Sequence, residues 1–309
     1  MTTREIRNMV LAIISLVLAA FFPLIDGGYL LSIGVTVLMY TVLATSWSLF
    51  SGPTHYISLA TAAFYGMGTL IVGFGIDTIP YPVLLLLALV TGAIAAALIG
   101  LATLRLSGVY FVIFTLGLAE MIRQLMSWIQ NNLGGSRGLY VLTDLTDADI
   151  YWELLALAAV VFLVGWWIGR SRLGFSLRVI GNDETVAAHC GINTARAKII
   201  LFMVSGMVAS LTGALLAPRW TYIEPNLAFS PLLSFEVVIM ALFGGVKRLW
   251  GPLVGVIPFT ILLEMIEATY PSQSILVLGI AFLLIVYLVP HGVVGRIEEV
   301  YRKVQARGG

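Results

Sequence analysis

The feature that most constrains this chain is a succession of apolar runs, each about as long as a bilayer is thick. Ten can be drawn, at 9–25, 29–50, 57–76, 81–104, 109–129, 151–169, 199–217, 234–244, 251–267 and 274–290. A helix needs about 20 mostly apolar residues to cross the hydrocarbon core. The runs therefore predict an all-α, polytopic membrane protein, with residues 1–309 forming one transmembrane domain. Composition agrees: 60% of the residues are hydrophobic and 11% are charged, where a soluble domain carries about a quarter. A net charge of +1 leaves no electrostatic footprint for a nucleic acid. One cysteine, Cys190, excludes an internal disulfide. The first run follows a basic start, and no small-residue cleavage site precedes Pro23, which predicts an uncleaved span.

Flanking charges orient the spans. Placing both termini in the cytoplasm gathers Arg4, Arg7, Arg105, the five basic residues of 170–198, Lys247, Arg248 and the basic tail on the inside. The outside then holds Asp26, Asp77, Asp144, Asp147 and Asp149, with only Arg137 and Arg219 as basic residues. Inner loops richer in Lys and Arg are the expected bias. Residues 170–198 become the largest cytoplasmic loop.

Two spans depart from the pattern. The third (ISLATAAFYGMGTLIVGFG) is dense in glycine, and the eighth (SFEVVIMALFGG) is short and ends at Gly244 and Gly245. They hold equivalent places in two halves, spans 2–5 and 7–10. Their offset of five spans predicts opposite orientation. Short or glycine-interrupted segments at matching places in inverted halves point to a translocation site. Phe64, Tyr65, Gly66 and Gly68 in the third span are thus candidates for the path or a helix break, with Gly244 and Gly245 in the eighth. Stripes of small residues (Ser58, Ala62 and Gly66; Ser205, Ala209, Gly213 and Ala217; Gly251 and Gly255) predict close helix packing, chiefly within the chain.

Catalytic machinery is missing from the sequence. There is no G-x-x-x-x-G-K-[ST] phosphate loop and no H-E-x-x-H, and the three histidines are scattered. No catalytic residue, metal site or cofactor is expected. Charges within the runs are Glu120, Arg123, Glu236 and Glu264. A mid-membrane charge needs a partner or a wet cavity. Glu120 can pair with Arg123 one turn on, either between helices or beside the path. No chain of intramembrane acids suggests a proton relay.

Within 170–198, Asn182 or Asp183 can cap a short helix, Asp183 and Glu184 suit its first turn, and Gly191 can end it. Between them lie Val186, Ala187 and Ala188, a smooth face suited to a groove on a soluble partner. A plain connector along the membrane is the other reading.

This loop resembles the coupling region of LivM-type permease subunits of bacterial branched-chain amino-acid ABC importers. The resemblance rests on Ser171, Gly174, Leu177, Ile180, Glu184, Ala187, Ala188, Gly191, Ile192, Asn193 and Lys198. It extends, in order, through ISLATAAFYGMG (57–68), LRLSGVYFVIFTLGLAE (104–120), GGSRGL (134–139) and FGGVKRLWGPLVG (243–255). Phe175, Thr61 and Lys247-Arg248 depart from the family's usual residues. The resemblance implies a bacterial inner-membrane location and a path formed with a homologous second permease subunit. It also implies two ATPase subunits that use the ATP, and an extracytoplasmic binding protein. Asp183, Glu184, Ala187, Ala188, Gly191 and Asn193 would then couple to the ATPases, with Ala187 and Ala188 entering their groove. Urea or short amides are alternative cargoes, and a stand-alone channel or facilitator is the rival class.

Overall fold

The computed structural model describes residues 19–25, 28–104, 106, 108–133, 138–246, 248–269 and a few positions between 273 and 283. The first run up to residue 18, most of the tenth run and the terminal charges lie outside the described residues, as do Asp26, Arg105, Arg137 and Lys247.

A short turn, α1 (Phe22–Ile25), leads into α2 (Tyr29–Thr54), α3 (Thr61–Gly75), α4 (Tyr81–Thr103) and α5 (Val109–Leu133). After strand β1 (Leu139–Tyr140) come α6 (Asp147–Arg170), α7 (Arg172–Asn182), α8 (Glu184–His189) and α9 (Thr194–Leu216). A 3-10 turn (Ala217–Arg219), strand β2 (Tyr222–Ile223), α10 (Pro225–Ala228), α11 (Pro231–Gly244) and α12 (Gly251–Thr269) complete the described elements. Among the described residues, seven helices are long and apolar enough to cross a membrane, and α3 is a shorter apolar helix. The second to ninth runs thus all fall on helices.

Contacts at the two ends of the bundle test the predicted topology. At one end Glu184 meets Tyr56 and Lys198, Lys198 meets the Leu104 carbonyl, and Gly52 lies against the Val246 carbonyl. Arg170, Arg172, Arg178, Arg196 and Arg248 flank these positions in sequence, making this the basic end. At the opposite end Arg219 reaches Ser32 and Asp147, and β1 pairs antiparallel with β2. Every described loop assigned to one side by charge lies at one end.

Glycine sets the helix spacing. A Cβ on Gly68 would lie 1.7 Å from the Ser210 carbonyl oxygen, and one on Gly213 would lie 2.0 Å from that of Tyr65. Helices α3 and α9 therefore touch backbone to backbone. Gly92 and Gly206 do the same for α4 and α9, and Gly244, Gly251 and Gly255 for α11 and α12. Helices that share an apolar solvent associate by close packing. The small-residue stripe of α9 is consumed inside the chain.

The two odd spans are both interrupted. Residues 55–60 are non-helical, so α3 begins at Thr61 rather than 57, after His55 in the left-handed region (φ 58°). The eighth span begins at Pro231 after an irregular stretch holding β2 and α10. The first break lies at the basic end and the second at the opposite end, as inverted halves require. Irregular backbone at membrane depth is tolerated where protein covers it. Here Trp47 Nε1 donates to the Ser58 carbonyl (2.8 Å), Leu59 N donates to Thr115 Oγ1 (3.1 Å) and Ala62 N donates to Ser234 Oγ (2.9 Å).

Candidate coupling and translocation sites

The polar loop is two helices, not one. Ser171 caps α7 by accepting from Gly174 N, and Leu177 and Ile180 turn inward. A Cβ on Gly181 would strike the Pro53 carbonyl at 2.2 Å, so α7 rests directly on the end of α2. Asp183 then caps α8: its Oδ1 accepts from Thr185 N (2.7 Å) and Val186 N (3.2 Å). These amides, that of Val186 foremost, hold the Asp183 carboxyl below its usual range. Gly191 (φ 78°) provides the left-handed stop, and Ile192 N donates back to the Ala187 carbonyl. Asn193 caps α9 by accepting from Arg196 N at 2.9 Å.

The two expected contact alanines part ways. Ala188 is exposed beside Thr185, Val186 and His189, whereas Ala187 is 0% exposed and packs into the core. Successive side chains on a helix are about 100° apart, and the docked position of α8 turns Ala187 inward and Ala188 outward. The outward surface is therefore Thr185, Val186, Ala188 and His189.

Beneath α8 lies a charge network that the sequence only hinted at. Lys198, its side chain 3% exposed, donates through Nζ to Glu184 Oε1 (2.6 Å), the Tyr56 hydroxyl (3.2 Å) and the Leu104 carbonyl (3.4 Å). The Tyr56 hydroxyl donates to Glu184 Oε2 at 3.1 Å, and the Lys198 ammonium sits 4.5 Å from the Tyr56 ring centre. Burial pushes the Glu184 carboxyl up, but Lys198 and the Tyr56 hydroxyl outweigh it and hold the group below its ordinary value. The network ties α8 to the first break, to the end of α4 and to the start of α9.

The path candidates fall into two sets. Phe64, Tyr65, Gly66 and Gly68 are buried where α3 meets α9 and the segment before α11; a Cβ on Gly66 would enter the Phe229 ring. Gly245 (φ 108°) ends α11, and Gly244 lies on the α12 backbone. Glu236, 7% exposed on α11, accepts a 2.5 Å hydrogen bond from the Tyr40 hydroxyl.

Glu120 differs from all of these. Arg123 binds it through both Nε (2.8 Å) and Nη2, and Arg123 Nη1 donates to Asn226 Oδ1 (2.6 Å). Gln124 Nε2 also donates to Glu120. Yet the pair is not enclosed: the Arg123 and Glu120 side chains are 22% and 39% exposed. An ionised group at mid-bilayer costs about 3 kcal/mol even on the lower scales. This face is not built for lipid.

Comparison with known proteins decides the family. Residues 29–288 match the model of the branched-chain amino acid transport system / permease component family. The chain belongs to that family. The Escherichia coli K12 high-affinity branched-chain amino acid transport system permease protein LivM is 24% identical, over 93% of this chain and 75% of that protein. The permease protein LivH of the same organism is 27% identical over 50% of this chain and 49% of its own length. The autoinducer 2 import system permease protein LsrC of an Enterobacter species is 25% identical over 64% and 58%.

In this permease family member, sequence reasoning found the caps of α8 and the Glu120–Arg123 pair. It missed α7 as a separate helix, Tyr56 and Asn226. Ser171 before a glycine-containing amphipathic stretch was a usable signal for α7. Tyr56 and Asn226 carried none, because their partners lie more than a hundred residues away.

Proposed function

We propose that this chain is a permease subunit of an ABC importer for branched-chain amino acids. It would form the path with a homologous second permease subunit, above two ATPase subunits that hydrolyse the ATP, and receive its cargo from an extracytoplasmic binding protein. The observation that carries this reading is α8: a capped helix at the basic end with an exposed outer face, anchored by Lys198 and Glu184 to three membrane elements. Such an element converts movement of a soluble partner into movement of the spans either side of the first break. Two packed halves rocking about a central site is one established mode of transporter switching.

On this reading the basic end is cytoplasmic, with the termini on the same side. The exposed thiol of Cys190 is then a native reporter. In intact cells an impermeant thiol reagent should spare Cys190 and should label Tyr140→Cys in a Cys190→Ser background. The reverse pattern would invert the topology. The functional test is purification of the chain with its ATPases, followed by ATP-dependent uptake of leucine into proteoliposomes supplied with the binding protein. Uptake that persists without ATP and without ATPase subunits would make the chain a facilitator instead.

A further inference from the structure

Helix α5 carries a polar stripe that the described chain covers only in part, at Ser127, whose hydroxyl donates to Asn226 Oδ1 (3.4 Å). Glu120, Gln124, Ser127 and Asn131 recur at intervals of four, three and four residues, which is one face of a helix. Gln124 and Asn131 are exposed, and Arg123 borders the stripe, held by Glu120 and by Asn226 from the segment before α11. Glu120 stands about 16 Å along a 25-residue helix some 37 Å long, near the middle of an apolar span. The adjacent face, with Met121 60% and Leu125 47% exposed, is apolar and suits lipid. A further polar group on the same helix is Gln130, turned inward. It is 2% exposed, and neither atom of its amide has a partner among the described residues. A buried amide of this kind is ordinarily satisfied by water.

We propose that this stripe is the chain's wall of the aqueous passage, and that Glu120 and Arg123 form a zwitterion-exchange site within it. The proposal rests on the importer reading. An amino acid carries one carboxylate and one ammonium, separated by a single carbon. Its carboxylate can take the Arg123 guanidinium while its ammonium takes the Glu120 carboxylate, so every charge stays paired throughout. One ion pair is exchanged for two, and nothing is left bare in a medium of low dielectric. The Asn226 amide keeps Arg123 oriented towards the passage while Glu120 is engaged elsewhere. Such a site passes a zwitterion without trapping it, and gives no comparable foothold to a lone cation or anion.

The test has two arms. In a Cys190→Ser background, Gln124→Cys should be modified by a water-soluble thiol reagent at least ten times faster than Met121→Cys or Leu125→Cys. An unreactive Gln124→Cys in both resting and ATP-driven transporter would show a dry face and overturn the proposal. In the assembled transporter with its binding protein, Glu120→Gln and Arg123→Gln should each cut leucine uptake at least tenfold. The second permease subunit and the ATPases should still co-purify. Full uptake in both variants, or loss of the second subunit from both, would make the pair a packing contact and sink the exchange site. A parent chain that recruits no ATPases would fail the importer reading instead, and the thiol arm would still report whether the face is wet.

Discussion

Two glutamates, Glu184 and Glu120, each bind a cation and a neutral neighbour and are about equally exposed, yet their cations differ: Lys198 is 3% exposed and Arg123 22%. Lys198 beside Glu184 is almost wholly enclosed by this chain, with a tyrosine hydroxyl and a backbone carbonyl filling its remaining positions. Arg123 beside Glu120 is bound as fully but stands at a face this chain leaves open. The first pair is complete within the subunit and acts as a fixed joint. The second is left partly open by the described residues. Enclosure, rather than the number of hydrogen bonds, separates the two pairs.

The largest expected effect tests that distinction directly. Removing the cation from an enclosed pair leaves a charge stranded, which costs about 3–5 kcal/mol. Glu184 is 40% exposed, so Lys198→Met should lower stability by about 3 kcal/mol, at the lower end of that range. The double variant Glu120→Gln/Arg123→Gln, neutralising a half-exposed pair, should cost less than about 1 kcal/mol. Thermal unfolding of the purified chain in detergent compares the two. Equal losses would erase the contrast.

How much of this was legible beforehand follows the range of the interaction. Local signals were readable: the apolar runs, Asp183 and Gly191 at the ends of α8, and Glu120 with Arg123 three residues on. The break before α3 was suspected from glycine density, but its start at Thr61 depends on Thr115 and Ser234 satisfying amides from distant helices. Ala187 and Ala188 were indistinguishable in sequence, since only the docked position of α8 decides which faces in. Lys198 could be noted in a motif, while its role needed Tyr56 and Leu104 to be brought to it.

The alanines give the next effect. Ala187→Asp places an acid in the core under α8, at a cost of about 2 kcal/mol, and should lower the yield of folded protein. Ala188→Asp should leave stability within about 0.5 kcal/mol, because the site is exposed. If α8 enters an ATPase groove, Ala188→Asp should nevertheless abolish ATPase co-purification. Thus the two variants should fail in different assays. Identical behaviour would mean that α8 is not docked as described.

A smaller effect comes from the hydroxyl that bridges the enclosed pair. Tyr56→Phe keeps the ring under the Lys198 ammonium but removes the donor to Glu184 Oε2. The hydroxyl also accepts from Lys198 Nζ, so two hydrogen bonds go and the loss should be about 1–2 kcal/mol. The expected transport defect is a rise in ATP hydrolysed per leucine moved, since α8 stays attached but less firmly. An unchanged ratio would show that the Lys198–Glu184 contact alone carries the coupling.

The mildest change is at the cap. Asp183 is exposed, and its carboxylate serves chiefly the Val186 and Thr185 amides. Asp183→Ala should speed hydrogen exchange at those two amides and fray the first turn of α8, while Glu184 and Lys198 keep the helix seated. Asp183→Asn, which retains a capping oxygen, should lie close to the parent. The pH dependence has a definite sign. Folding lowers the carboxyls of both Asp183 and Glu184, so their contribution is fully present above the unfolded carboxylate range near 4. It is lost as pH falls through their folded values. Ordering of α8, followed by exchange at the Thr185 and Val186 amides, should therefore be flat from neutrality to about pH 5 and weaken below about 4. In Asp183→Ala the residual acid sensitivity should be that of Glu184 alone. A variant as acid-sensitive as the parent would place the whole effect on the Lys198 pair and leave the cap with none.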